Sequence, residues 1–336
     1  MTLTRLADIL SGAHSKRILV VGDLMLDEFV WGKVGRISPE APVPVVEVTS
    51  ESCYPGGAAN VARNLRQFAD RASVVGLIGT DSGGEQLRRL FENDGIDASD
   101  VMQDPEFRTI VKTRIIARQQ QVVRVDREQI RTPTSAQANR VLESIGKRLP
   151  DVDAIILEDY GKGFLSAELV TEICRLAYAA GKIVTVDPNP RHSIEWRNVT
   201  AVKPNRSEAF LAAGLPWSEA TEAVEEDEAL LQVGGALLEK WDTRYLLITL
   251  GEQGMMLFER DGAWHHIPTR AQQVFDVSGA GDTAIAMFTL ALCCRASARE
   301  AAEIANHASA VVVGKLGTAT VSPEELVASF AIDGAT

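Results

Sequence analysis

Asp276-Val277-Ser278-Gly279-Ala280-Gly281-Asp282-Thr283 runs directly into the apolar stretch Ala284–Leu292. Glycines just ahead of a helix let backbone N–H groups converge on an anion, and the helix N-terminus adds partial positive charge. Such a pattern builds a phosphate cradle. An Asp in the first turn is held ionised by the same dipole, and beside a transferring phosphoryl group it can accept the proton of an attacking hydroxyl. Gly279, Ala280 and Gly281 therefore read as an anion hole and Asp282 as a catalytic base. Without a function, the same segment is a helix cap with turn glycines.

Working outward from this cradle, short β-branched runs alternate with longer helical patterns from Lys16 onward, the sign of βαβ units and a mostly parallel sheet. The spacing predicts core strands at Ile18–Val21, Ser73–Ile78, Ala154–Leu157, Ile183–Val186, Ala201–Val202 and Tyr245–Thr249. Helices are predicted at Ala58–Phe68, Glu85–Asp94, Ala136–Arg148, Ala167–Ala180, Ser207–Ala213 and Glu228–Lys240. An α/β fold follows, a three-layer αβα sandwich. Two stretches break the rhythm: Glu28–Ser50, with Pro39, Pro42 and Pro44, and Thr109–Asp126, a hairpin turning near Gln119–Gln121. Both read as insertions that together make a small β-sheet lid on one domain spanning residues 1–336. The acidic run Glu222–Glu228 reads as a solvated loop and helix start, and there is no internal repeat.

The 336 residues are 46% hydrophobic and 24% charged, the balance of a compact globular chain. A net charge of -12 repels nucleic acid and anionic membranes, so an anionic substrate must meet a local cluster of Lys and Arg. Cys53, Cys174, Cys293 and Cys294 form no CxxC pair, which suits a reducing compartment. Arg5, Asp8, Lys16 and Arg17 interrupt any secretory h-region, and Ala284–Cys294 is too short to span a bilayer. A cytoplasmic protein is expected, with no nucleic-acid or membrane partner.

Other segments carry polar groups where an α/β sheet binds ligands. Gly56-Gly57-Ala58-Ala59-Asn60 permits close backbone approach to a polyol, with Asn60 as both donor and acceptor, although a plain turn before a helix would look the same. Asp27 and Glu158-Asp159-Tyr160-Gly161-Lys162 follow core strands, at the ends where such sheets take ligands. Together with the Asp282 segment these motifs resemble the ribokinase/PfkB carbohydrate kinases, over nearly the whole chain. The resemblance implies that Asp27, Gly56, Gly57, Asn60 and Asp159 meet the sugar and that Lys162 contacts a phosphate. It implies ATP binding by Asn205, Thr249, Gly251, Gly254 and Asn306, and magnesium organised through water by Glu208 of the N-x-x-E element. It also implies a monovalent cation, potassium, at Asp276, Ser278, Val312, Lys315 and Gly317. After Asp187-Pro188, Asn189 stands where relatives often carry Lys.

Within the family, Arg36–Val46, Pro55–Ala62, Val313–Thr318 and Val321-Ser322-Pro323 resemble the D-glycero-D-manno-heptose-7-phosphate kinases of lipopolysaccharide core (ADP-heptose) synthesis. Such kinases phosphorylate the anomeric hydroxyl, and a chain ending at Thr336 is expected to be the stand-alone kinase form or the kinase domain of a bifunctional heptose kinase/adenylyltransferase. A phosphorylated sugar needs cations away from ATP, and Lys112, Arg114, Arg118 and Arg124 share parity on the hairpin unless its turn resets the register. Edge-strand charges that discourage aggregation are the plainer reading. The lid's other face, with Ile115, Val123 and Val125, is expected to join two subunits as a homodimer. Another PfkB kinase acting on fructose, ribose or a nucleoside, and a non-catalytic sugar-binding regulator, remain as alternatives. A dinucleotide enzyme is disfavoured because no GxGxxG follows the first strand.

Overall fold

The computed structural model describes residues 1–118, 120–192, 194–271 and 273–333. In chain order the helices are α1 (Leu3–Ser11), α2 (Ala58–Arg66), α3 (Ser82–Asp94), α4 (Ser135–Arg148), α5 (Ala167–Ala179), α6 (Arg206–Ala213), α7 (Glu228–Trp241), α8 (Ala280–Cys293), α9 (Ala298–Val313) and α10 (Pro323–Asp333). The first strands are β1 (Arg17–Gly22), β2 (Leu24–Ile37), β3 (Pro44–Gly57), β4 (Arg71–Val75), β5 (Leu77–Gly79), β6 (Met102–Asp104), β7 (Ile110–Ala117) and β8 (Gln120–Arg127). There follow β9 (Ala154–Glu158), β10 (Ile183–Asp187), β11 (Ala201–Val202), β12 (Tyr245–Thr249), β13 (Met255–Glu259) and β14 (Trp264–Ile267).

An eight-stranded sheet of order β14-β13-β12-β11-β10-β9-β1-β4 forms the middle layer, parallel except for the β12-β13-β14 edge. Its strands are apolar on both faces because both faces are covered. On β1, Ile18 and Val20 enter a core with α1, α2, α3, α8, α9 and α10, while Leu19 and Val21 enter a second core with α4, α5, α6 and α7. The αβα sandwich is thus built from the alternation of single strands. Helix α8 is buried nearly all round, as its uniform apolar run requires.

The run Ser73–Ile78 divides at Gly76, where a β-carbon would come within 2.5 Å of the Leu24 side chain. The chain leaves the main sheet there, and β5 pairs with β6 instead. The antiparallel edge was legible in the sequence, since Asp261-Gly262 between two apolar runs is a strong hairpin signal. Helix α10 begins where Ser322 and Glu325 cap one another reciprocally, again a readable signature. Asp227, expected in a solvated run, is instead buried as the N-cap of α7 and paired with Arg206 at 2.7 Å.

Strands β3-β2-β7-β8 make a second, four-stranded sheet. Its strands extend past Glu28–Ser50 at both ends: β2 follows β1 after Asp23 alone, and β3 runs through Gly57 into α2. Residue 119, within the turn expected near Gln119–Gln121, lies outside the described residues. Cross-strand register places Asp27, Lys112 and Asp126 in one row, and Phe29, Arg114 and Arg124 in the next row of that face. Glu28, Thr113 and Val125, with Val30, Ile115 and Val123, occupy the opposite face.

Candidate functional site

Helix α8 starts from Gly279, whose φ of 81° is a left-handed conformation that favours glycine. A β-carbon there would also press within 2.7 Å of the Asn60 amide nitrogen. Asp282 lies in the first turn of α8 and is 4% exposed. Asn60 Nδ2 donates to its Oδ2 and the Tyr160 hydroxyl donates to its Oδ1, each at 2.7 Å. Gly281 leaves room above Lys203, since a β-carbon would lie 3.4 Å from that ammonium, itself 2.8 Å from Asp187.

Three carboxylates, Glu158, Asp187 and Asp282, offer oxygens within 4.8 Å of one another. Burial pushes Asp282 up to about 6, against the hydrogen bonds of Asn60 and Tyr160. Burial likewise lifts Asp187 to about 6, against the attraction of Lys203. Glu158 is driven well above the carboxylate range by burial and by its two anionic neighbours. Its Oε2 is buried without a hydrogen-bond partner among the described residues. Burial works against the Lys203 ammonium, but Asp187 holds its pKa above the ordinary lysine value. Three buried carboxylates, each with its pKa raised, thus stand beside the Lys203 ammonium.

Asp27, at the root of the four-stranded sheet, packs against the glycine pair: a β-carbon on Gly56 would lie 2.5 Å from its Oδ2. Arg114 donates to its Oδ1 at 2.5 Å, and Thr318 reaches Oδ2 at 3.4 Å. Gly57 takes a left-handed φ of 58° at the turn into α2, which delivers Asn60 to Asp282. The Lys112 ammonium stands 5.2 Å from the centre of the Tyr160 ring. Burial depresses Lys112, and Lys162 and Arg124 depress it further while Asp27 opposes them, so these cations share one electrostatic neighbourhood. Their partners are carboxylates: Glu128 for Lys162 and Asp126 for Arg124.

Arg118 does not join them. The β7–β8 register shifts at Ile115/Ile116, and Arg118 is an exposed turn residue with a φ of 58°. At about 3.3 Å per residue it stands roughly 20 Å along the strand from Lys112. Asp159 is also placed differently from a sugar ligand: its oxygens accept from Gly161 N–H at 2.8 Å and meet His192 Nδ1 at 3.0 Å, and its side chain is 1% exposed. It braces the loop after β9. Asp23, which the sequence reading passed over, does the same work by accepting from the N–H groups of Tyr160, Lys162 and Phe164. Asn189 lies against Gly161, where a β-carbon would meet its amide at 2.6 Å.

On the other side of the cradle, a cavity of about 400 Å³ is lined by Thr249, Gly251, Gly254, Asn306, Ala280 and Gly281, among others. Asn306 donates to the Pro268 carbonyl at 2.7 Å, which fixes one wall. Asn205 bridges to Thr249 and caps α6 reciprocally with Glu208. The half-buried Glu208 uses Oε2 in that cap, and its charge is felt by both Asp187 and Lys203. A carboxylate so close to the cradle fits magnesium that keeps its waters. Asp276 accepts from Ser278 N–H at 2.9 Å and Gly317 N–H at 3.2 Å, so these loops converge. The Val312 carbonyl accepts from Lys315 N–H, while the Lys315 ammonium turns to Thr320 and Glu325. A cavity of about 630 Å³ elsewhere, against Met1, Arg299 and Phe330, contains no residue expected in the site.

The sequence-derived motifs thus gather around one point, and comparison with known proteins bears on what they do. A model of the pfkB family carbohydrate kinases matches residues 15–325. The bifunctional protein HldE of Citrifermentans bemidjiense is 43% identical over 316 residues, covering 94% of this chain and 63% of that protein. HldE of Geobacter sulfurreducens is 43% identical over 320 residues, covering 95% and 64%. The chain spans less than two thirds of the length of these relatives. Among solved structures, phosphofructokinase-2 from Escherichia coli in complex with potassium superposes with a TM-score of 0.74 at 18% identity, covering 94% of this chain and 98% of that one. A putative ribokinase from Agrobacterium tumefaciens gives 0.72 at 20%, covering 95% and 99%. Both share the ribokinase-like fold. Among the described residues, no helix is long and apolar enough to cross a membrane.

Proposed function

The chain belongs to the pfkB family of carbohydrate kinases, and from that premise we propose that it uses ATP to phosphorylate the anomeric hydroxyl of D-glycero-D-manno-heptose 7-phosphate. The product is the 1,7-bisphosphate, made in the cytoplasm for ADP-heptose and lipopolysaccharide core synthesis. One kinase domain, residues 1–336 with its lid, carries the reaction. The observation that supports this most is the placement of Asp282 between two different surfaces, the largely apolar cavity that reaches Gly281 and the cationic face of the lid.

The sugar lies under the lid with hydroxyls on Asp27 and Asn60, and the glycine pair lets backbone approach the ring. Its 7-phosphate displaces the carboxylate partners of Lys162 and Arg124 and meets Lys112 beside them, and all three gain charge-assisted bonds. ATP fills the cavity, with its γ-phosphate at the N–H groups of Gly279, Ala280 and Gly281. Asp282 takes the anomeric proton as the new O–P bond forms and the β–γ bridge breaks, leaving ADP. Glu208 would hold magnesium through water, and the ion supplies charge neutralisation on the phosphates. The Asp276, Ser278 and Gly317 loops, with carbonyls near Val312 and Lys315, would hold potassium and steady the cradle. The protein works as a homodimer joined by its lids.

The test is ATP consumption across a panel of free and phosphorylated sugars. Heptose 7-phosphate is expected to lead; fructose 6-phosphate, ribose or a nucleoside leading instead would sink the substrate assignment while leaving a family kinase.

A further inference from the structure

Tyr160 lies in the Glu158–Lys162 segment without a role of its own in the reading of that segment, yet it makes one of the two side-chain contacts to Asp282 described above. A carboxylate on the first turn of a helix can rotate about its terminal torsion, a broad and soft coordinate. Asn60 of α2 holds Oδ2 and Tyr160, from the loop after β9, holds Oδ1. Two donors from different elements fix the carboxylate plane, leaving the remaining lone pairs for a substrate proton. The loop carrying Tyr160 is itself fastened by three N–H bonds to Asp23, and Lys112 lies over the ring. Burial drives the phenol's pKa far upward, so it stays protonated and stays a donor.

We propose that Tyr160 is a positioning residue for Asp282, orienting the base and keeping it ionised through a hydrogen bond from its hydroxyl. The charged groups around Asp282 show why that bond matters. Glu158 at the end of β9 and Asp187 at the end of β10 oppose its ionisation, and Lys203 after β11 favours it. Without the phenol, Oδ1 is a buried anionic oxygen beside two acidic groups, and the proton returns more readily.

The inference rests on Asp282 being the base, and two variants separate the two ideas. Phosphate esters titrate near pH 6 themselves, so the direct readout is carbon-13 carboxyl titration of the free enzyme, with the Asp282 signal identified by its loss in Asp282→Asn. Tyr160→Phe should move the Asp282 titration from about 6 upward by roughly one unit. The acid limb of kcat/KM should move with it, and kcat should fall about tenfold with KM for ATP unchanged. An unmoved Asp282 titration in Tyr160→Phe overturns the proposal, even if activity is lost, because that loss would be structural. Full turnover by Asp282→Asn would remove the base assignment instead, while the titration would still decide what Tyr160 does to the carboxylate.

Discussion

Asn60, at the start of α2, donates a 2.7 Å hydrogen bond to Asp282, on the first turn of α8, across 222 residues of chain. The bond ties the helix that follows the glycine pair to the helix that starts at the phosphate cradle. The glycine-pair motif and the glycine-run motif therefore meet at one carboxylate.

If that carboxylate is the base, Asp282→Asn should keep the same volume and most hydrogen bonds while losing proton acceptance. ATP affinity, measured by calorimetry, should be largely unchanged, and kcat should drop by roughly 10²–10⁴-fold.

The same substitution should stabilise the fold at neutral pH. The folded-state pKa of Asp282, about 6, lies above the ordinary 3.8, so its contribution to stability is fully present below about pH 4 and is lost as pH rises through 6. Above that point the wild type carries a buried charge that Asn removes. Thermal melts at about pH 7.5 should show Asp282→Asn higher in Tm by a few degrees, with the gap closing towards about pH 4. A variant less stable at neutral pH would mean that the carboxylate's bonds outweigh its burial.

Lys112 carries the prediction for substrate recognition. Removing one charge-assisted bond to a phosphate costs on the order of 1.5–3 kcal/mol, so Lys112→Met should raise KM for the sugar phosphate by roughly 10–100-fold. KM for ATP should not move. Equal weakening of both substrates would indicate a general collapse of the site.

Much of this site was legible in the sequence because its parts are local: a glycine run entering an apolar helix, a glycine pair before another, and an N-x-x-E cap. What was not legible depends on distance in the chain. Tyr160, Lys203 and Asp187 meet Asp282 only through the order of β9, β10 and β11 in the sheet, which no residue spacing encodes. Arg118 departs for a local reason: β7 keeps its register against β2 as far as Ala117, the extra residue of the bulge, Val122, falls on β8, and Arg118 lies past the strand end in the turn. Asp159 looked available as a strand-end carboxylate, but its hydrogen bonds to its own loop and to His192 turn it into a brace.

The outer face of the lid carries the prediction for assembly. Val123 and Val125 are 45% and 40% exposed on β8, whose residues are all exposed. Exposed valines on one face of an edge strand favour burial against a second copy. Solution mass at micromolar concentration should be that of a dimer, and Val123→Glu should shift it towards monomer. A monomeric wild type would defeat the homodimer.

The most direct test of the whole account is the identity of the phosphorylated product. Wild-type protein with ATP and D-glycero-D-manno-heptose 7-phosphate should give a new anomeric phosphate in phosphorus-31 spectra, with kcat/KM far above that for dephosphorylated heptose. No anomeric signal, or equal kcat/KM for the two sugars, would contradict it.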